Sequence, residues 1–118
     1  MINGFIEAMN ENPEKEPMFI SMFIETFKNS KNKLELVEEE PQVEPKFDYV
    51  LPFLEGLVEY LCRQEELSVP EWVDDRRRKE PYFMGEPKGM WKVYALFNTP
   101  LEFKYRNIFI AESDLVRV

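Results

Sequence analysis

Histidine is absent from this chain of 118 residues, and cysteine occurs once, as Cys62. The lack of histidine excludes serine–histidine and cysteine–histidine nucleophilic pairs and removes the commonest metal ligand of proteins. A single cysteine forms neither an intrachain disulfide nor a structural zinc site, which is typical of proteins in a reducing cytoplasm. Because Cys62 falls on an apolar helical stripe, we expect it to be a small buried hydrophobic residue.

Phosphate-binding glycine motifs and long apolar runs are missing as well. The four glycines form neither a G-x-G-x-x-G pattern nor a P-loop. No apolar run approaches the ~18 residues needed to cross a bilayer, so no membrane association is expected. The N-terminus starts without basic residues and meets Glu7 early, unlike a signal peptide. These absences predict a cytoplasmic, non-enzymatic protein with no catalytic, cofactor-binding or metal-binding residues.

Acidic residues outnumber basic ones by 23 to 15, which gives a net charge of −8. Residues 1–45 hold ten acidic residues against four lysines, whereas residues 46–118 hold thirteen against eleven basic residues. A chain of this charge repels a phosphate backbone, so direct binding to nucleic acid is not expected.

Length and apolar periodicity predict one domain over residues 1–118, with a mainly α fold: a small helical bundle with a short irregular C-terminal segment. Residues 1–45 form N-terminal helices and an acidic, proline-containing connector, and residues 46–118 form the helical core module. The central helix is predicted over residues 48–66, and residues 70–78, 90–98 and 100–105 are expected to pack upon it. The segment 34–37 is compatible with a brief strand.

Single residues refine these predictions. Asp48 is expected to cap the central helix, with Pro52 in its first turn. Gly56 costs roughly 1 kcal/mol against alanine in a helix, which indicates a close crossing by another helix. Ser68 and Glu71 form a capping box that predicts the start of the helix at 70–78.

The C-terminal part carries similar signals. Thr99, Pro100 and Glu102 repeat the capping pattern before residues 100–105. Asn107 tolerates left-handed geometry and is expected to end that turn. Ser113 is expected to cap a final turn.

The second helix, over residues 17–29, has an unusually broad apolar face. Such a face must be covered either by the chain's own core or by a second copy. We therefore consider a homodimer through its apolar side chains, which are Phe19, Phe23, Ile24 and Phe27.

The stretch "DDRRRKEP" at residues 74–81 has three interpretations. A helix end would place basic residues at the negative pole of the helix dipole. A docking patch would use arginine and tryptophan as interface hot spots. A nucleic-acid contact is disfavoured by the neighbouring acids. The candidate partner-binding residues are Trp72, Arg76, Arg77, Arg78 and Tyr82. Trp72 and Trp91 are both predicted to be structural, because each lies at an apolar helical position.

Four motifs carry a family resemblance over residues 53–118: "VPEWV" at 69–73, "PYF" at 81–83, "TPLEF" at 99–103 and "RNIFI" at 106–110. Together they resemble the uncharacterised C-terminal module of bacterial helix-turn-helix, antitoxin-like proteins. The helix-turn-helix itself is missing here, since residues 1–45 are too short, too acidic and too rich in proline. The resemblance implies a non-enzymatic interaction or regulatory protein, antitoxin-like, with a nucleotidyltransferase-like toxin as partner. The alternative is an accessory subunit of a DNA-associated transcriptional regulator.

Overall fold

The computed structural model describes residues 2–11, 16–42, 51–84 and 86–115, and this part of the chain is mainly α-helical, as the sequence predicts. Helices and strands follow in the order α1 (Ile2–Glu11), α2 (Glu16–Asn29), α3 (Lys33–Val37), α4 (Leu51–Gln64), β1 (Tyr82–Phe83), α5 (Met90–Asn98), α6 (Leu101–Lys104), β2 (Ile108–Phe109) and α7 (Glu112–Leu115). Within that part, no helix is long and apolar enough to span a membrane.

Helix α4 lies at the centre of the fold, and residues 52–62 are buried on every side of it. Asp48, its expected cap, falls outside the described residues. The helix ends in a Schellman motif: Glu66 takes a positive φ of 56°, and the N–H of Leu67 donates to the carbonyl of Cys62 at 2.8 Å. Cys62 is fully buried, as predicted, and burial raises the pKa of its thiol to about 11, so the thiol stays protonated at neutral pH.

Helix α6 crosses α4 at Gly56. A Cβ atom built on Gly56 would lie 3.0 Å from Cδ1 of Phe103 and 3.2 Å from the carbonyl oxygen of Glu102. The fully buried Phe103 ring fills the space beside this glycine, with its centroid 5.7 Å from that of Phe53. The prediction of a close helix crossing at Gly56 is therefore confirmed.

Helix α2 turns its apolar face into the chain's own core. Phe23, Ile24 and Phe27 are buried there, so these three side chains do not form the predicted homodimer surface. Phe19, the fourth residue of that prediction, lies outside the described side chains. Residues 34–37 belong to helix α3, not to a strand, and Val37 anchors this helix in the core.

Residues 70–78 do not form the predicted helix. A turn closes from the N–H of Val73 to the carbonyl of Pro70 at 3.1 Å, and the chain then runs extended. The extended path leads into β1, which pairs in parallel with β2, Tyr82 opposite Ile108 and Phe83 opposite Phe109. Tertiary contacts to this segment outweigh the capping box, because its backbone groups find partners on α4 and near β2 instead of within a helix.

The C-terminal elements follow the predicted bounds closely, but their caps differ. Asn107 takes the expected positive φ of 66°. The hydroxyl of Thr99 does not cap α6; it accepts a hydrogen bond from the N–H of Ile110 at 3.1 Å and itself donates to the carbonyl of Ala95. Ser113 lies inside α7 and not at its cap.

We predict that Gly56→Ala destabilises the protein by about 1–3 kcal/mol, because the added methyl group forces α6 away from α4. The better helix propensity of alanine offsets only part of this cost. Gly4→Ala on α1 is the matched control, since a Cβ there meets no atom within 4 Å, and it should be neutral or stabilising by up to ~1 kcal/mol. Urea denaturation measures both; equal effects of the two substitutions would contradict the tight crossing.

Candidate functional site

Residues 74–78 are tied down by one buried arginine. Arg106 is fully buried, and its Nη2 donates to the carbonyl oxygen of Asp74 at 2.6 Å. Its Nη1 donates to the carbonyl oxygen of Glu102 at 2.6 Å and to Oε1 of Glu59 at 3.0 Å. The main chain repeats the connection, since the N–H of Arg78 donates to the carbonyl of Arg106 at 3.0 Å. The basic run is therefore an extended segment on the protein, and its interpretation as a helix end is wrong.

Glu55 holds the same segment from the α4 side. Its carboxylate is fully buried, and Oε2 accepts a hydrogen bond from the N–H of Asp74 at 2.7 Å. The same oxygen lies 3.5 Å from Nη1 of Arg76. Burial raises the pKa of Glu55, and the Asp74 N–H and the guanidinium groups of Arg76 and Arg106 oppose this rise only in part.

Glu59, one turn further along α4, completes the network. It accepts hydrogen bonds from Arg106 and from the hydroxyl of Tyr105. Burial raises the pKa of Tyr105 to about 12, and its hydrogen bond to Glu59 adds to this effect. Arg63 bridges Glu59 and Glu102 at 3.8 and 3.7 Å. Because these charged groups are turned toward one another, the network stabilises the fold and leaves no open reaction site.

The predicted partner-binding residues are distributed along this segment and beyond it. The indole Nε1 of Trp72 donates to the carbonyl of Val37 at 2.7 Å, so the half-buried Trp72 is structural, as predicted. Arg76 pairs with Glu55, and Arg77 is exposed. The guanidinium of Arg78 lies 4.6 Å above the ring of Tyr82. Three of the five side chains thus have printed roles inside the protein that do not require a partner.

Catalytic or metal chemistry finds no geometric support in the described residues. They contain no cluster of three or more cysteine, aspartate or glutamate side chains that could hold a metal ion. The clefts at their surface are shallow, and none is lined by the Glu55–Glu59–Arg106 network.

Helix α5 shows the feature that distinguishes this surface. Only Ala95 among its residues is buried. Its outward side is apolar, and we call it the α5 face: Met90, Trp91, Val93, Tyr94 and Phe97. Met90, Trp91 and Phe97 are exposed by 79%, 73% and 75%. The prediction that residues 90–98 pack on α4 through this face, and with it the structural role of Trp91, is wrong.

The polar side of α5 faces the protein instead. The Lys92 ammonium lies 4.9 Å from the ring centroid of Phe83 on β1. A helix at the surface of a soluble domain normally turns its apolar stripe inward and its charges outward. Helix α5 has the opposite orientation, and four residues after Phe97 it is followed by another exposed apolar side chain, Leu101.

The α5 face is large for so small a protein. An aromatic side chain buries roughly 150–250 Å² when covered, so Trp91, Tyr94 and Phe97 alone offer on the order of 400 Å² at their observed exposures. The largest apolar patch of a typical monomer is about 300–600 Å² and is often functional. With the remaining apolar side chains added, the α5 face falls at or above the upper part of that range.

Comparisons with known proteins add no assignment: the chain matches no protein-family model, no curated protein and no solved structure. The candidate site therefore depends on the geometry alone. Sequence periodicity correctly groups Met90, Val93, Tyr94 and Phe97 on one side of α5. It carries no signal for which side of the helix meets the core.

We predict that the two tryptophans differ in their contribution to stability. Trp72→Ala removes packing against the core and the hydrogen bond to Val37, and should cost about 2–4 kcal/mol. Trp91→Ala removes a mostly exposed side chain and should cost less than ~1 kcal/mol. Urea denaturation at low protein concentration measures both. A loss with Trp91→Ala as large as with Trp72→Ala would show that the α5 face is covered in the free protein.

The raised pKa of Glu55 predicts a pH effect. A carboxyl group with a higher pKa in the folded state binds its proton more tightly there, so its contribution to stability falls as pH rises from the ordinary value of 4.5 through the folded value. Glu55→Gln keeps an oxygen for the Asp74 N–H and does not titrate. The free energy of unfolding of Glu55→Gln relative to wild type should therefore become more favourable as pH rises from about 5 to about 7.

Urea denaturation at several pH values tests this effect. The control is Glu25→Gln, which removes one carboxylate from the exposed side of α2. Curves of stability against pH that run parallel for Glu55→Gln and wild type would contradict the role assigned to burial.

Proposed function

We propose that this chain is a non-enzymatic protein-interaction module whose docking surface is the α5 face. The observation that carries the proposal is the orientation of α5, with its apolar side in solvent and Lys92 turned toward Phe83. Exposed aromatic and methionine side chains are enriched at the cores of protein interfaces. The occupant that we propose is a different protein, which covers these side chains with an apolar surface of its own.

A second copy of the chain fits this surface less well. A twofold interface places the same patch against itself, so the lysines at the edge of the α5 face, Lys88 and Lys92, would meet their own copies. A head-to-tail arrangement would avoid this repulsion, but it does not close unless the rotation happens to form a ring. The apolar residues of α2 first considered for a dimer are buried in the core.

The family resemblance of residues 53–118 supports a regulatory setting for this interaction. In that setting the chain is an antitoxin-like protein of the bacterial cytoplasm, and its partner is a nucleotidyltransferase-like toxin. The α5 face replaces the earlier candidate patch as the main contact, since Trp72, Arg76 and Arg78 are engaged within the fold. Arg77, which is exposed, stays a candidate for the rim.

Co-purification of tagged variants from the native host tests the proposal. We expect Trp91→Ser combined with Phe97→Ser to lose the partner that wild type retains, while circular dichroism and thermal melting stay close to wild type. The matched control is Met18→Ser combined with Met22→Ser on α2, where the side chains are 49% and 52% exposed. This control should keep the partner.

Two outcomes would contradict the proposal. One is a partner that survives the Trp91→Ser, Phe97→Ser change. The other is a homodimer of wild type that this change dissociates in sedimentation experiments, which would make a second copy the occupant.

A further inference from the structure

We infer that the segment that docks on the α5 face is an acidic amphipathic helix, with an apolar stripe for the α5 face and carboxylates for Lys88 and Lys92. This inference rests on the proposed function and adds the chemistry of the partner. It starts from the uneven charge of the chain. Residues 76–104 hold seven basic and three acidic residues, a net charge of +4, so the rest of the chain holds −12 of the total of −8.

A cleft of about 350 Å³ between β1 and α5 gives this charge a location. Its walls include the rings of Tyr82 and Phe83 and the ammonium groups of Lys88 and Lys92, with Glu86 as its acidic residue. In the part of the chain that the structure describes, neither lysine forms an ion pair. The cleft therefore offers two cations beside an aromatic wall, at the edge of an apolar helix face.

Carboxylates are the ligands that suit this edge. An ammonium group forms its strongest hydrogen bonds with an ionised acceptor, and an apolar surroundings strengthens the attraction relative to bulk water. A helix can present both required features, because residues three and four positions apart share one face while the flanks carry charge. Binding of an amphipathic helix through such anchors is a common mode of recognition.

Polyanions without an apolar face fit the site less well. Nucleic acids and anionic membranes are repelled by the −12 charge of the remaining chain. The arginines nearest the cleft are also occupied, since Arg76 pairs with the buried Glu55 and Arg78 lies over Tyr82. Neither polyanion would account for the exposed Met90 and Phe97 together with the lysines, whereas an acidic amphipathic helix uses both.

Two synthetic helical peptides of about 15 residues, a length at which an isolated helix is marginal in water, test the inference. Both carry the same leucine stripe; one has glutamate and the other lysine on its flanks. Binding to the full chain is followed by titration calorimetry. We expect the glutamate peptide to bind at least ~10-fold more tightly at low salt. This preference should shrink between about 50 mM and about 300 mM NaCl, as screening grows.

Protein variants separate the inference from the proposed function. Lys88→Glu with Lys92→Glu should abolish or reverse the preference, while Lys28→Glu with Lys31→Glu, which changes the net charge equally on exposed residues of another region, should leave it unchanged. Trp91→Ser with Phe97→Ser should weaken both peptides. Equal binding of both peptides that still requires Trp91 and Phe97 would overturn the inference and leave the proposed function standing.

Other results would overturn more. If neither peptide binds, both the inference and the proposed apolar docking fail. If oligo(dT) or vesicles of anionic phospholipid bind more tightly than the glutamate peptide, and the lysine substitutions abolish that binding, the site is a polyanion site and the inference is wrong.

Discussion

The buried guanidinium of Arg106 is the constraint on which the rest of the structure depends. A charge without access to water must find acceptors, and Arg106 finds them on α4, at the end of α6 and on the extended residues 74–78. Removal of one partner from such a buried ion pair costs about 3–5 kcal/mol, because the remaining charge is left uncompensated. The demand of one side chain thus fixes the path of a segment whose local sequence favours a helix, and that path delivers Tyr82 and Phe83 to β2.

The same network explains why the most polar part of the interior is not a reaction site. Glu55 and Glu59 lie one turn apart on a helix that is buried all round, and both are engaged by neighbouring side chains and main-chain groups. An acid–base centre needs a group that a substrate can reach, and no described cleft is lined by this network. Its charges hold the fold together, and the free surface energy of the molecule is concentrated elsewhere, on α5.

Features set by local chemistry could be predicted from the sequence. The bounds of α5 follow from periodicity, the crossing at Gly56 from the cost of glycine in a helix, and the positive φ of Asn107 from its side chain. Features set by distant contacts could not. The capping box at Ser68 is overruled by Arg106, and the exposure of Trp91 depends on which side of α5 meets the core. Periodicity identifies a face, but the same apolar face is equally consistent with a core and with an interface.

Helix α5 is held in place without being covered, and this arrangement suits docking. Lys92 rests on Phe83 at the inner side, while the hydroxyl of Thr99 joins the end of α5 to Ile110 through two hydrogen bonds. These anchors use the polar groups of the helix and leave the α5 face free of intramolecular contacts that a partner would have to break. A helix fixed in this way loses little conformational freedom on binding, so more of the energy of apolar burial is expressed as affinity. The reversed orientation of α5 is therefore coherent with the anchors that hold it: they satisfy its polar side, and only a partner satisfies its apolar side.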